Sequence, residues 1–191
     1  MRFAFGLTLA LVIALLTGFG VSWYALEDGR FFGALKLGPW AAWPAAGGDA
    51  VDPYTRAWLA RSGQLQLGRS EGMRFIAIAD SGGTPLDRAC FYRVEGNTPV
   101  ATMWIIYARL PGGEVIGLDD RRPFIDSVTL PRNPDGSFAV GAGPDPVPGT
   151  WLATTGSGHY ELVLDIYDTS VFAGLGATLD VMPAIYPQGC R

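Results

Sequence analysis

The chain has 191 residues, and its 14 lysine and arginine residues against 18 aspartate and glutamate residues give a formal net charge of −4 at pH 7. Nucleic-acid binding needs clustered basic side chains that neutralise phosphates. This chain has one lysine and no basic stripe, so its composition excludes that class of protein.

The amino-terminal segment is apolar without interruption, since no charged side chain occurs from Phe3 to Leu26. As an α-helix this stretch is about 36 Å long, enough to cross a hydrocarbon core of about 30 Å. Arg2 precedes it and Glu27 follows it, and positive charge on the short leading side favours a cytoplasmic amino terminus. Residues 1–26 therefore predict a single-pass inner-membrane anchor, with the remaining chain in the periplasm of a bacterial cell.

A cleaved signal peptide is the alternative interpretation of the same segment. Such a peptide has an apolar region of about 7–15 residues and a small-x-small cleavage site. The passable site is Gly18-Phe19-Gly20, but the apolar run continues to Trp23 and Tyr24, which suit an interfacial aromatic belt. Both interpretations export the domain, so its location does not depend on the choice.

Residues 27–52 are rich in Gly, Ala, Pro and Trp and predict a loop-rich lead-in. We expect Trp40 and Trp43 to contact the membrane or a partner. A short helix over Tyr54–Arg61 follows, because Asp52 is a favourable N-cap and Pro53 suits the first helical turn. Gly63 would end it.

The remaining chain, within a predicted domain over residues 53–191, is dominated by strand patterns bounded by turn residues. The predicted strands are Met73–Asp80, Ala89–Gly96, Ala101–Arg109, an edge strand Asp126–Leu130, Ser137–Gly141, Tyr160–Asp168 and Asp180–Ile185. Asn133-Pro134-Asp135-Gly136 is a strong turn signal. Strands at such regular spacing predict a mainly β fold, an antiparallel β-sandwich of jelly-roll-like type with one short helix.

The two cysteines, Cys90 and Cys190, predict one disulfide, because an exported domain lies in an oxidising compartment. The bond would close a loop of about 100 residues, for which the chain-entropy model gives about 4–5 kcal/mol. Two free thiols are the alternative. We expect no metal site and no cofactor, since two cysteines without nearby histidines do not complete a zinc site.

No set of side chains predicts an active site. His159 follows a Gly-Ser-Gly turn, and Ser157 is too close in sequence for triad geometry. Asp119, Asp120 and Asp126 lie around an Arg pair and predict a solvated loop tip. Asp165 shares a strand face with Glu161, Val163 and Tyr167, and that face either lines a ligand cavity or is a solvated sheet exterior.

Seven short motifs, in this order and spacing, resemble domain-of-unknown-function family 1214 (DUF1214), in its short, membrane-anchored proteobacterial form, which ends in Cys. They are Asp52–Ala57, Glu71-Gly72, Pro85–Asp87, Cys90–Val94, Asp135–Ser137, Pro148–Leu152 and Leu164–Asp168. The resemblance runs from about residue 36 to the end. It implies a β-sandwich and a frequent companion, domain-of-unknown-function family 1254 (DUF1254), but no agreed catalytic residues. Thr150 and Asp165 depart from the Asn and Arg that are common at those positions.

Two functional hypotheses follow. The first is an anchored periplasmic binding or interaction module that assembles with a companion envelope protein of the DUF1254 type. The second is an envelope enzyme acting on a carbohydrate or lipid-linked substrate, with a site built from Tyr54, Arg56, Glu71 and Asp165. The enzyme requires those four side chains to converge in one concave pocket.

Overall fold

The computed structural model describes residues 2–28, 34–44, 51–62, 67, 71–118, 122–168 and 181–191. The predictions for Gly63, Asp119, Asp120 and Asp180 lie outside the described residues, as does the side chain of Tyr54.

The chain begins with helix α1, Arg2–Asp28, whose stretch from Arg2 to Tyr24 is long and apolar enough to span a membrane. Residues 2–24 are exposed throughout, so this stretch is not buried against the described part of the chain. Large side chains such as Phe3 and Leu16 are therefore exposed, as in a segment that meets lipid and not in a core helix. A signal sequence near the amino terminus can also meet these criteria of length and composition, so the cleaved alternative stays open.

Eleven strands, in the part of the chain that the structure describes, form two sheets. They are β1 Leu35–Leu37, β2 Trp40–Ala42, β3 Gly72–Ala77, β4 Cys90–Gly96, β5 Met103–Arg109, β6 Val115–Ile116, β7 Phe124–Asp126, β8 Phe138–Gly143, β9 Trp151–Ala153, β10 Glu161–Tyr167 and β11 Ala184–Cys190. The larger sheet has the order β1-β2-β3-β10-β5-β6, with β7 also pairing with β5, and the smaller has the order β11-β4-β8-β9. All neighbours are antiparallel except β8 and β9. The mainly β, sandwich-like prediction is confirmed.

The core lies between the two sheets and is filled by alternate residues of each strand. Phe75, Trp104 and Leu164 face it from the large sheet, and Val94 and Phe138 from the small one. The rings of Trp104 and Phe138 join the layers, with centroids 4.6 Å apart.

The prediction of a loop-rich lead-in is wrong for residues 35–42, which form the β1–β2 hairpin at one side of the large sheet. Trp40 lies in the core at 0% exposure, and its indole Nε1 donates a hydrogen bond to the carbonyl of Pro183 at 2.7 Å. Trp43 is also buried. Neither side chain is available for the membrane or partner contact that we expected.

The predicted helix is present as α2, Pro53–Ser62. The Asp52 carboxylate accepts a hydrogen bond from the amide of Thr55 at 3.0 Å, and its carbonyl accepts the amide of Arg56. The N-cap prediction is therefore confirmed.

Two strand predictions need correction at their ends. The edge strand ends at Asp126 and does not begin there, because its carboxylate accepts the amides of Val128 and Thr129 and turns the chain. The last strand runs from Ala184 to Cys190, later than predicted.

The later position of β11 brings Cys190 opposite Cys90 in the β4–β11 register, and the two form the predicted disulfide. Arg191 donates its amide to Ala89, the flanking bond expected around a non-hydrogen-bonded pair, where facing side chains are closest.

Candidate functional site

The outer face of the small sheet has an unusually low profile along β8. This strand alternates large inward side chains, Phe138 and Val140, with the outward residues Ala139, Gly141 and Gly143. Outward side chains normally stand up from a sheet. Here the outward side chains are only a methyl group or a hydrogen atom, so neighbouring groups can lie close to the strand backbone.

Two of these positions must be glycine for the neighbouring groups to pack as they do. A Cβ added at Gly141 would lie 2.3 Å from Cγ2 of Val147, and one added at Gly143 would lie 2.4 Å from Cδ1 of Phe91. The loop of residues 144–150 and the Phe91 ring therefore rest directly on the β8 backbone.

A groove of about 510 Å³ lies beside these groups, next to Ala139 and Gly141. Its lining is Phe91, Tyr92, Arg93, Ala139, Gly141, Val147, Pro148, Gly149, Thr150 and Gln188. Phe91, Val147 and Pro148 supply apolar walls, while Thr150 and Gln188 supply a hydroxyl and an amide. Such a combination of apolar surface and a few polar groups is typical of binding clefts.

The charge at the groove is balanced by an ion pair. Arg93 and Glu95 lie two residues apart on the outer face of β4, and the Arg93 Nε donates to the Glu95 carboxylate. Both side chains are well exposed. The groove therefore presents apolar and hydrogen-bonding surface with a neutral charge pair at its side.

The loop that forms one wall of the groove is fastened at several points. The amide of Gly141 donates to the carbonyl of Thr150 at 2.9 Å, and the Trp151 Nε1 donates to the carbonyl of Gly143 at 3.0 Å. Asp145 forms an ion pair with Arg191. These bonds hold the wall to β8 and to the chain end that the disulfide fixes.

A second polar cluster lies on the outer face of the large sheet, around Asp165 of β10. Asp165 lies opposite Arg74 of β3, and Nε and Nη2 of Arg74 donate to its two carboxylate oxygens, each at 2.7 Å. The Tyr107 hydroxyl lies 3.5 Å from the same carboxylate. Burial, and then the charge of Asp165, raise the pKa of Tyr107 to about 12.

A second ion pair lies farther along β10, between that strand and β5. Glu161 is opposite Arg109 of β5 and accepts a hydrogen bond from its Nε at 2.8 Å. Arg109 and Asp165 are both buried, so this face is neither the open cavity nor the solvated exterior considered above. Its charges bind one another, which indicates a structural role in the sheet.

The four residues predicted for an enzyme site lie in different settings. Arg56 is exposed on α2, Glu71 is exposed just before β3, and Asp165 is 1% exposed in its pair with Arg74. Tyr54 lies on α2, with its side chain outside the described residues. No hydrogen bond or ion pair between described residues joins Arg56 or Glu71 to Asp165, and the proposed enzyme site stays a prediction.

The groove itself was not predicted. Its signal in the sequence is the run Phe-Ala-Val-Gly-Ala-Gly over β8, in which every outward position is small. That pattern indicates a strand face without large side chains. It does not predict which groups lie over that face, because Phe91 is distant along the chain and Val147 belongs to the loop that follows β8.

The single histidine of the chain, His159, lies at the surface. The His159 Nδ1 lies 3.2 Å from the carbonyl of Leu86 and 3.7 Å from the Asp87 carboxylate, and the ring is largely exposed. This is the geometry of a turn residue.

The molecule is thus a two-sheet β protein with a candidate membrane helix and a groove on its smaller sheet. The family model described as "Protein of unknown function (DUF1214)" matches residues 71–171, more than half of the chain. The chain belongs to the DUF1214 family, and the resemblance noted from its motifs is confirmed.

Two solved structures are similar to this chain. The VPA0106 protein from Vibrio parahaemolyticus is 16% identical with a TM-score of 0.55, and the match covers 71% of this chain and 35% of that one. An uncharacterised protein from Burkholderia cenocepacia is 16% identical with a TM-score of 0.46, over 94% of this chain and 52% of that one. The chain thus spans about a third to a half of these relatives, and the first supports the fold alone. Comparison with curated proteins finds no match.

Proposed function

We propose that this chain is a binding module tethered to the inner membrane by α1, with its amino terminus in the cytoplasm and its β-sandwich in the periplasm. The groove on the small sheet binds a segment of a companion envelope protein of the DUF1254 type. The observation that carries the proposal is the groove over Ala139 and Gly141, which combines apolar walls with hydrogen-bonding groups.

The proposed location rests on two independent features. Helix α1 exposes a long apolar surface that water disfavours and lipid accepts. The Cys90–Cys190 disulfide persists in an oxidising compartment such as the periplasm. An alkaline phosphatase fused after Arg191 tests the orientation, because that enzyme gains activity only when exported. Activity confined to a cytosolic reporter at the same position would contradict it.

The proposed ligand is an extended peptide segment carrying an apolar side chain. Phe91, Val147 and Pro148 would pack against that side chain, while Thr150 and Gln188 lie within the same groove to bond its backbone. The Arg93–Glu95 pair leaves the groove without a net charge that would select an ion.

The proposal of a companion protein has two supports. The DUF1214 resemblance implies a DUF1254 partner, fused or encoded beside it. In the VPA0106 protein the matched region is about a third of the chain, so a similar fold is joined there to further polypeptide. We propose that the β-sandwich of this chain binds a companion of that type through the groove.

Photocrosslinking from the groove tests the partner. p-Benzoylphenylalanine at Ala139 of the full chain should give a discrete protein adduct in intact membranes, identified by mass spectrometry. The matched control probe is at Val115, which is exposed on β6 of the other sheet. An adduct of the same yield from both positions, or none from Ala139, would contradict the proposal. Ala139→Trp fills the groove and should abolish co-purification of the same partner.

A further inference from the structure

Helix α2 packs against the anchor helix α1, at the end where the apolar span finishes. The guanidinium carbon of Arg61 lies 4.9 Å from the centroid of the Trp23 ring. Trp23 and Tyr24 are the aromatic residues at which the apolar span ends. Such residues lie at the level of the lipid headgroups when a helix crosses a bilayer. The contact therefore holds α2 at the membrane–water boundary.

The two faces of α2 differ in exposure. Thr55 is buried and Leu59, four residues later, is half-buried, so this face points toward protein. Among the side chains of α2 that the structure describes, four exposed ones form two neighbouring rows at i, i+4 spacing, Arg56 with Ala60 and Ala57 with Arg61. Each row pairs one arginine with one alanine.

This exposed face has the chemistry of a headgroup-binding surface. Arginine binds phosphate through a planar fork of N–H donors, and each basic residue near an anionic bilayer contributes about 1 kcal/mol. The alanines are short, so they do not hold the helix away from the surface. The chain as a whole is acidic, with a net charge of −4, whereas both charged residues in the sequence of α2 are arginines.

We propose that α2 lies on the periplasmic surface of the membrane that α1 spans, with Arg56 and Arg61 bound to anionic phospholipid headgroups. The contact fixes the direction in which the β-sandwich faces its partners. This inference rests on the proposed function only in requiring α1 to span the bilayer.

Crosslinking in nanodiscs tests the inference. The full chain carries p-benzoylphenylalanine at Ala60 and is reconstituted in discs of phosphatidylcholine alone or with phosphatidylglycerol. Mass spectrometry should find a lipid adduct whose yield is greater in phosphatidylglycerol discs. Arg56→Glu, which leaves the Arg61–Trp23 contact in place, should lower that yield by at least about fivefold, since each arginine contributes about that factor.

A matched control keeps the charge change but moves it elsewhere. Arg122→Glu alters the net charge by the same amount at an exposed arginine of the sandwich, and the yield should stay within twofold of the unmodified chain's. An equal loss in both variants, no dependence on phosphatidylglycerol, or an adduct to protein alone would overturn the inference. Carbonate extraction of membranes from cells that express the chain reports insertion separately. A chain that does not insert overturns the proposed function as well, whereas an inserted chain without the adduct overturns this inference alone.

Discussion

Asp165 of β10 and Arg74 of β3 lie directly opposite each other and form a bidentate ion pair on the outer face of the large sheet. Only 2% of the Asp165 side chain and 16% of the Arg74 side chain are exposed. Ile76 and Val163 on the same face are buried as well. The outer face of the large sheet is therefore covered around this pair, where a buried charge is tolerated because its partner lies close by.

Asp165→Asn should destabilise the protein strongly, by about 3 kcal/mol, because the Arg74 guanidinium would lose its carboxylate while still largely buried. Urea unfolding of the full chain in detergent, followed by tryptophan fluorescence, measures the change. Glu95→Gln is the matched control, since the Arg93–Glu95 pair is exposed and its loss should cost within about 0.5 kcal/mol. Equal losses in the two variants would show that burial does not decide the strength of these pairs.

Alkaline pH should destabilise the fold through Tyr107. Burial and the Asp165 charge raise its pKa to about 12 from the ordinary value of 10.0. Between these two values the unfolded chain has released the phenolic proton while the folded chain retains it, so the free energy of unfolding falls as pH rises. Below pH 10 the contribution is complete. Tyr107→Phe should flatten the decline of stability over that window, and an unchanged slope would contradict the assignment.

The long strands could be predicted because their signals are local. β3, β5 and β10 are apolar runs bounded by turn residues, and the Asn133–Gly136 turn has its own chemistry. The β1–β2 hairpin could not be predicted, since its strands have three residues each and are joined by a Gly-Pro turn that reads as a loop. No local sequence pattern can predict the hydrogen bond from Trp40 to Pro183, because the two residues are 143 positions apart.

The sites were harder to predict for a related reason. Alternation grouped Asp165 with Glu161, Val163 and Tyr167 on one strand face, and the structure has that face opposite the core. Alternation does not say whether such a face is covered. The groove depends on the packing of Val147 over Gly141, which is a tertiary contact that the local sequence does not show. The disulfide needed only composition and compartment, because two cysteines allow one pairing.

Reduction of the Cys90–Cys190 bond should release one half of β11 and leave the other half in place. The Ile185 amide donates to the Ser81 hydroxyl at 2.8 Å, and the Ile185 carbonyl accepts the Ser81 amide at 2.9 Å. Since Ile185 is also fully buried, its amide should stay protected from hydrogen exchange while the amides of residues 188–191 lose protection. Loss of protection at the same rate throughout the strand would contradict this division. The global cost should reach about 4–5 kcal/mol at most.

Gly141→Ala should displace the loop of residues 144–150, which forms one wall of the groove, from β8. The new Cβ would lie 2.3 Å from Cγ2 of Val147, so the loop must shift, at a cost of about 1–3 kcal/mol. Gly112→Ala is the matched control, because nothing lies within 4 Å of a Cβ at that position. Gly141→Ala with Val147→Ala should recover part of the loss. If urea unfolding gives equal values for the two single variants, the contact over β8 is not as close as described.

Tyr160→Phe should stabilise the protein, against the usual direction of a core substitution. The Tyr160 hydroxyl is buried and has no hydrogen-bond partner among the described residues, and burial raises its pKa. Removing an unpaired buried hydroxyl should recover about 1 kcal/mol. Its neighbour Tyr92, whose ring centroid is 6.2 Å away, is the matched control, because its hydroxyl accepts the Asp87 amide at 3.0 Å. Tyr92→Phe should therefore lower the free energy of unfolding by a similar amount, and changes of the same sign in both variants would refute the assignment.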